Sequence, residues 1–371
     1  MTTKKMNKCF FLMMTALMTA ACNGESAPEG KPSQPGSAIA FTIDDGTTRA
    51  SHRTAPNTLT LNGSGTNEQS LKTEGFGVFA CHTGSHRYIS STITANLMWN
   101  QRVGYDGTAS RWVYSPTVYW PGDVEEASDY VTFFAYAPYS NCTDDAASAC
   151  IADCSQAGDS GDPWLLYQLG GLPTATGSEG WKARQIDLLY VFLPDQQRPS
   201  SVTDRVSLSF RHALACVGDE IILTCSDDLQ DYLKNLSAET GGIVTLTLDQ
   251  LVLDYYLTAK GLLVLNNATS PNWRAVYSGD GMVHRYLTLV PDQVVATATS
   301  SSVCTLTDYQ SDSGHGIFYI PLDLSGTPQT LTIRAYYTLS TGDEGVMQTT
   351  IDLSAIRQAG EGRNLNLTLD F

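Results

Sequence analysis

From Ala38 to the C-terminus, apolar side chains fall at every second position, and this constrains the chain more than any other feature. Ile39, Phe41 and Ile43 alternate with Ala40 and Thr42, and Val206, Leu208 and Phe210 alternate with Ser207 and Ser209. Leu331, Ile333, Ala335 and Tyr337 repeat the pattern, and Leu365, Leu367, Leu369 and Phe371 alternate with Asn364, Asn366, Thr368 and Asp370. A period of two puts one face of a strand on a core and leaves the other in solvent. Further strands are predicted at Phe76–Cys81, Tyr130–Tyr139, Ile186–Leu193, Ile243–Leu253, Tyr286–Val290 and Ile317–Leu322. Only 16% of residues are charged, which disfavours long amphipathic helices. One helix is expected, Asp227–Ala238, with Leu229, Leu233 and Leu236 on one face behind a Ser226 cap. Strands with turns at this frequency pack as all-β sandwiches. The polar, Pro-containing run Asp195–Asp204 divides the chain into two such units, 38–204 and 205–371.

The first 37 residues lie outside that pattern. Lys4, Lys5 and Lys8 precede an apolar stretch, Cys9–Ala21, whose thirteen residues are too short to span a bilayer of roughly 30 Å. Residues 1–21 therefore read as a secretory signal peptide. Small residues directly before Cys22 resemble a bacterial lipobox, which would make Cys22 the lipidated N-terminus. Residues 22–37 carry no large apolar side chain and read as a tether. Asn23 in place of an Asp favours delivery to the outer membrane. The net charge of −16 and pI near 4.6 exclude charge-driven nucleic-acid binding.

Catalytic and metal chemistry find little support. Gly158-Asp159-Ser160-Gly161-Asp162-Pro163 resembles a serine-protease nucleophile segment but lacks a recognisable His partner, so a surface turn is expected. Cys81, His82 and His86 are expected in a solvated loop, and His212 as a structural histidine. Cys142, Cys150 and Cys154 crowd one loop without zinc-ligand spacing; one local disulfide is expected in an oxidising compartment, its pairing open. Asp44-Asp45, Glu125-Glu126 and Asp227-Asp228 read as solvated turn carboxylates. Trp99, Trp112, Tyr114, Tyr119 and Trp120 are a candidate sugar-stacking platform or the cover of a sandwich end. No catalytic residue, metal site or cofactor is assigned.

Several segments carry a family likeness: Gly75–Ala80, Asn96–Val103, Trp112–Pro116, Tyr119–Pro121, Val131–Tyr139, Val206–Leu214 and Gly362–Leu369. In order and spacing the chain resembles the fimbrillin family, the type V pilins of Gram-negative gut and oral anaerobes. The resemblance implies a non-enzymatic surface lipoprotein of two transthyretin-like β-sandwiches, moved to the outer membrane and then into a cell-surface fimbrium. It implies an Arg-specific surface protease that cuts in the loop after the first strand. The matching site is Arg49-Ala50, with Arg53 as the alternative. The strand holding Ile39, Phe41 and Ile43 would leave, and a strand of another pilin subunit would fill its groove, building a head-to-tail polymer.

Leu365, Leu367, Leu369 and Phe371 form either a donated strand or the last core strand. A further donor segment, present in many fimbrillins, is not found after Phe371, which points to a tip or tip-proximal subunit. The alternative is an anchored glycan-binding surface lipoprotein that does not polymerise. The receptor stays unassigned.

Overall fold

A computed structural model describes residues 37–44, 58–61, 68–122 except 91, 129–142, 150–168, 186–258 except 202, 260–274, 276, 282–299, 304–305, 318–321, 329–353 and 362–369. The first strands are β1 (Phe41–Ile43), β2 (Thr58–Thr60), β3 (Glu68–Ser70), β4 (Phe76–Gly84), β5 (Met98–Asp106) and β6 (Arg111–Val113), with a single helical turn, α1 (Leu71–Glu74), before β4. Then come β7 (Tyr130–Ala137), β8 (Ile151–Cys154), β9 (Trp164–Gln168), β10 (Leu189–Gln197), β11 (Val206–Leu208), β12 (Arg211–His212) and β13 (Leu214–Cys225). Helix α2 (Asp227–Thr240) leads to β14 (Thr245–Thr258), β15 (Lys260–Val264), β16 (Asn272–Arg274), β17 (Met282–Leu289) and β18 (Gln293–Thr297). The chain continues through β19 (Cys304–Thr305), β20 (Phe318–Pro321), β21 (Thr330–Leu339), β22 (Glu344–Asp352) and β23 (Gly362–Leu369). The protein is all-β, with its strands in several sheets.

Among the described residues, a six-stranded sheet of order β12-β10-β7-β4-β5-β6 organises the first half. Its central strands are buried on both faces. Phe76, Val78, Ala80, Val131, Phe133, Ala135, Leu189 and Val191 point into one core, while Phe79, Cys81, Phe134, Tyr136 and Tyr190 point into another. Burial on both faces explains why these strands read as continuous apolar runs rather than as an alternation.

The second core is closed by the sheet β17-β14-β21-β22, which presents Leu246, Leu248, Leu251, Leu253, Leu331, Ile333 and Ala335. Leu248 and Leu251 both face inward because the register slips between Leu248 and Gln250. A bulge of this kind shifts the side-chain phase by one residue. Helix α2 begins behind the Ser226 cap as expected and runs two residues past Ala238, to Thr240. Ser226 Oγ accepts from the Leu229 amide at 3.1 Å, Leu229 and Leu233 are buried, and Gly241 takes the left-handed C-cap at φ 71°.

Strands on either side of Asp195–Asp204 share sheets: β11 pairs β1, β12 pairs β10, and β15 pairs β9. The strand expected at Ile186–Leu193 starts at Leu189 and runs to Gln197, and that expected at Ile243–Leu253 continues to Thr258. Strand β22 has no counterpart in the periodicity, since its residues are mostly exposed on both faces and nothing selects alternate apolar positions.

Candidate functional site: the groove of the first strand

Strand β1 and the residues before it lie in a groove that almost encloses them. Ile39, Phe41 and Ile43 are 2%, 1% and 8% exposed, so the side chains of one strand face point entirely into the core. The Phe41 ring meets Phe76, Tyr114 and Phe133 with centroids 6.0, 5.8 and 5.8 Å apart. Phe76 in turn packs on Trp112 and Phe210, and Trp120 packs on Phe133. These are tilted or edge-on pairs, the arrangement favoured by the ring quadrupole. Trp112 and Trp120 are buried, so these two rings cover the sandwich core and are not a sugar platform. Tyr119 is exposed, and Trp99 packs against Phe79.

The backbone of this segment is held along both edges. On one edge Phe41, Thr42 and Ile43 pair in parallel with Val206, Ser207 and Leu208. Val206 N donates to Ala40 O at 2.8 Å, and Asp44 N donates to Leu208 O at 3.0 Å. On the other edge Ala38 forms an antiparallel bridge with Tyr119. There Ile39 N donates to Val118 O at 2.9 Å, and Trp120 N donates to Ser37 O at 3.0 Å. Tyr114 Oη donates to Ile39 O at 2.7 Å, and burial pushes its phenol pKa up. Arg198 Nε donates to Ser37 Oγ at 3.1 Å.

Magnitudes decide what such a strand can do. Three fully buried apolar side chains of this size together contribute roughly 5–9 kcal/mol. That is of the order of a whole domain's net stability, about 5–15 kcal/mol. Each backbone group left buried and unpaired adds about 1–3 kcal/mol. A strand held in this way does not leave its groove unaided, and emptying the groove would carry that whole cost. An extended segment with apolar residues at alternate positions restores both the pockets and the edges, which is the chemistry of strand addition.

Of the residues singled out from the sequence, Ile39, Phe41 and Ile43 come together in this groove, with Val206, Leu208 and Phe210 in the same core. Cys22, Arg49, Ala50, Arg53 and Phe371 lie outside the described residues. Leu365, Leu367 and Leu369 lie on β23, whose backbone pairs in parallel with β13, opposite Ile221, Leu223 and Cys225. The parallel partner of β1 was invisible in the sequence, because nothing local at Val206–Leu208 announces a strand lying more than 160 positions earlier.

The remaining candidates take structural places. Cys81 and His82 lie inside β4 and not in a loop beyond it. Cys81 is fully buried, and burial pushes its thiol pKa up to about 12, the reverse of what a nucleophile needs. His82 does have an acidic partner, Asp129 Oδ2 at 2.8 Å, reached across the sheet. His212 is buried with Nδ1 2.7 Å from Asp187 Oδ1. Ser160 is exposed in a turn that bridges to Thr94. Asp162 beside it accepts from Tyr88 Oη and Asn266 Nδ2, both at 2.7 Å, and from Ser90 Oγ. Among the described residues no cluster of His, Cys, Asp and Glu is arranged to hold a metal ion.

Residues 48–230 match the model of the fimbrillin-like family. The match places the chain with structural subunits rather than enzymes. Fimbrium subunit Fim1C of Phocaeicola vulgatus is 29% identical over 163 residues. The alignment takes in 42% of this chain, which spans about two fifths (39%) of that relative's length. Two solved structures are similar. One, a candidate cell adhesion protein of Bacteroides uniformis, has a TM-score of 0.36 and 11% identity over 85% of this chain and 99% of that one. The other, a candidate cell adhesion protein of Bacteroides ovatus, has a TM-score of 0.39 and 12% identity over 91% and 93%.

Proposed function

We propose that this chain is a subunit of a cell-surface fimbrium, exported as an outer-membrane lipoprotein on Cys22 and assembled by strand exchange. Cleavage after Arg49 releases the segment that carries Ile39, Phe41 and Ile43. The apolar strand of a neighbouring subunit then takes its place. The observation that carries this reading is the first strand with its lead-in, a few residues before Arg49: Ile39, Phe41 and Ile43 are buried, Phe41–Ile43 pair with Val206–Leu208 on one edge, and Ser37 and Ile39 are hydrogen-bonded on the other. The fimbrillin-like match over 48–230 and the relative described as a fimbrium subunit support it. Addition of this kind is head to tail and does not close on itself, so it grows a filament. The pairing of β23 with β13 favours β23 as a resident strand rather than the donated one.

The test is the N-terminal residue of the protein in filaments sheared from the cell surface. Ala50 is expected, and Arg49→Ala is expected to leave a lipid-linked, cell-bound monomer. Filaments of normal length from cells carrying Arg49→Ala, or filament subunits that begin at Cys22, overturn the reading.

A further inference from the structure

We propose that Arg198 is a socket for a carboxylate on the incoming strand, so that the segment replacing β1 carries an acidic residue at the position of Ser37. The inference rests on the strand-exchange reading above and adds the chemistry that selects the partner.

Arg198 follows the last residue of β10 and is half-buried beside the lead-in of the first strand. Its Nε donates to Ser37 Oγ at 3.1 Å. Nη1 is shut off from solvent and has no hydrogen-bond partner among the described residues. No carboxylate of the described residues pairs with the group, although Arg87 and Arg334 find Asp195 and Asp254 at 3.4 and 3.5 Å. A guanidinium is always charged, and a charge withdrawn from water without a counter-ion is unfavourable. The chain has 38 acidic residues against 22 Lys and Arg, so composition alone does not explain an arginine without a carboxylate. What the resident strand offers this charge is one neutral hydroxyl.

That hydroxyl belongs to the segment that leaves. Ser37 is half-buried, Ala38 exposed and Ile39 buried, so residue 37 falls in the phase of Ile39, Phe41 and Ile43. The backbone here is fixed in register: Trp120 N donates to Ser37 O at 3.0 Å, and Ile39 N donates to Val118 O at 2.9 Å. A replacement strand paired to the same edges brings one side chain to Arg198. That side chain sits two residues, roughly 6.5 Å, beyond the one in the Ile39 pocket, whichever way the strand runs.

Release of the first strand takes away the Ser37 hydroxyl and leaves the guanidinium without its acceptor. An Asp or Glu delivered to that position makes a charge-assisted hydrogen bond, shorter and roughly twice as strong as one between neutral groups. A Lys or Arg there meets a like charge and is rejected. The resident strand is thus held weakly at this point and an acidic newcomer strongly, so the preference runs in the direction of exchange. The apolar pockets accept many strands with alternate large side chains, whereas the socket discriminates among them.

The uncleaved chain tests the socket without any polymer. Ser37→Asp places the carboxylate on the resident strand and is expected to raise the folding equilibrium constant about tenfold in urea titrations. With Arg198→Met the same change is expected to bring no gain. An unchanged or lower stability for Ser37→Asp beside Arg198, or a gain that survives Arg198→Met, overturns the proposal. The chain cut after Arg49 tests the incoming strand. It is offered acetylated peptides with the sequence of residues 37–44 carrying Ser, Asp or Lys at the first position. The Asp peptide is expected to bind about tenfold tighter than the Ser peptide and the Lys peptide more weakly than either, with the ranking lost in Arg198→Met. Equal binding of the Ser and Asp peptides overturns the proposal. The two readings fail separately. Filaments from cells carrying Arg49→Ala overturn strand exchange and leave the Ser37→Asp coupling standing. Absence of that coupling in a chain whose filaments begin at Ala50 overturns the socket alone.

Discussion

Phe41 shows how much one residue carries in this fold. Its ring has 1% of its surface exposed and meets three other aromatic rings, so truncation leaves a cavity that rigid neighbours cannot fill. Phe41→Ala is expected to cost the uncleaved chain about 3–5 kcal/mol in urea unfolding. A loss under about 1 kcal/mol would mean that the ring is not packed as described. Under the proposed strand exchange, a form that has lost the first strand no longer contains Phe41, and its stability is expected to be indifferent to the substitution. Gly75 imposes a different single-residue constraint. It turns the chain from α1 into β4 at φ 72°, and a Cβ there would sit 2.6 Å from Val103 O. Only glycine satisfies both conditions.

At the scale of elements, strands β1 and β23 illustrate two kinds of attachment. Strand β1 is short, three residues with a lead-in, and is held by side chains in a groove. Strand β23 is held along β13, from Cys216 opposite Gly362 to Cys225 opposite Leu369, with one register shift between Val217 and Ile221. Strand β13 carries β20 and β19 along its length and β23 in parallel, so removing β23 bares an edge of the strand that joins this sheet. Deleting Asn364–Phe371 is expected to lower the melting temperature of the isolated monomer and loosen the second half of the chain. A monomer that melts normally but no longer passes growth to the next subunit would show instead that β23 is the donated strand.

For the molecule as a whole, the chemistry of its interior predicts how it responds to alkali. The cores hold ionisable thiols and phenols as well as aliphatic groups. Burial pushes Cys81 and Tyr190 up to about 12 and pushes Tyr136, Tyr167 and Tyr255 well above the usual phenol. In each case the folded chain keeps a proton that the unfolded chain releases earlier, near 9 for the thiol and 10 for the phenol. Between about pH 9 and 12 the unfolded state therefore binds fewer protons, and the unfolding free energy falls as pH rises. The stabilisation is fully present below pH 9 and is lost towards 12. Tyr190 offers a clean check, because its hydroxyl is buried with no hydrogen-bond partner. Tyr190→Phe is expected to leave stability at neutral pH unchanged or slightly higher. It is also expected to flatten the decline between pH 10 and 12 in a series of urea titrations. An unchanged slope would show that Tyr190 titrates freely.

The amino-acid sequence by itself determined what local physics can determine. Period-two patterning specified the strands around Ile39–Ile43, Val206–Leu208 and Leu331–Tyr337, and Ser226 specified the start of α2, because faces and caps depend on neighbours a few residues away. The phase slip at Leu248–Leu251 and the exposed β22 were not legible in that way. A bulge and an edge strand acquire meaning only against the strands they pair with. Tertiary structure alone decided that β1 lies in parallel beside Val206–Leu208, that Tyr114 clamps Ile39, and that His212 meets Asp187. Those contacts join residues far apart in the chain, or side chains whose direction is set by different sheets. Their energy comes from burial and pairing in the folded core and leaves no periodic trace along the chain.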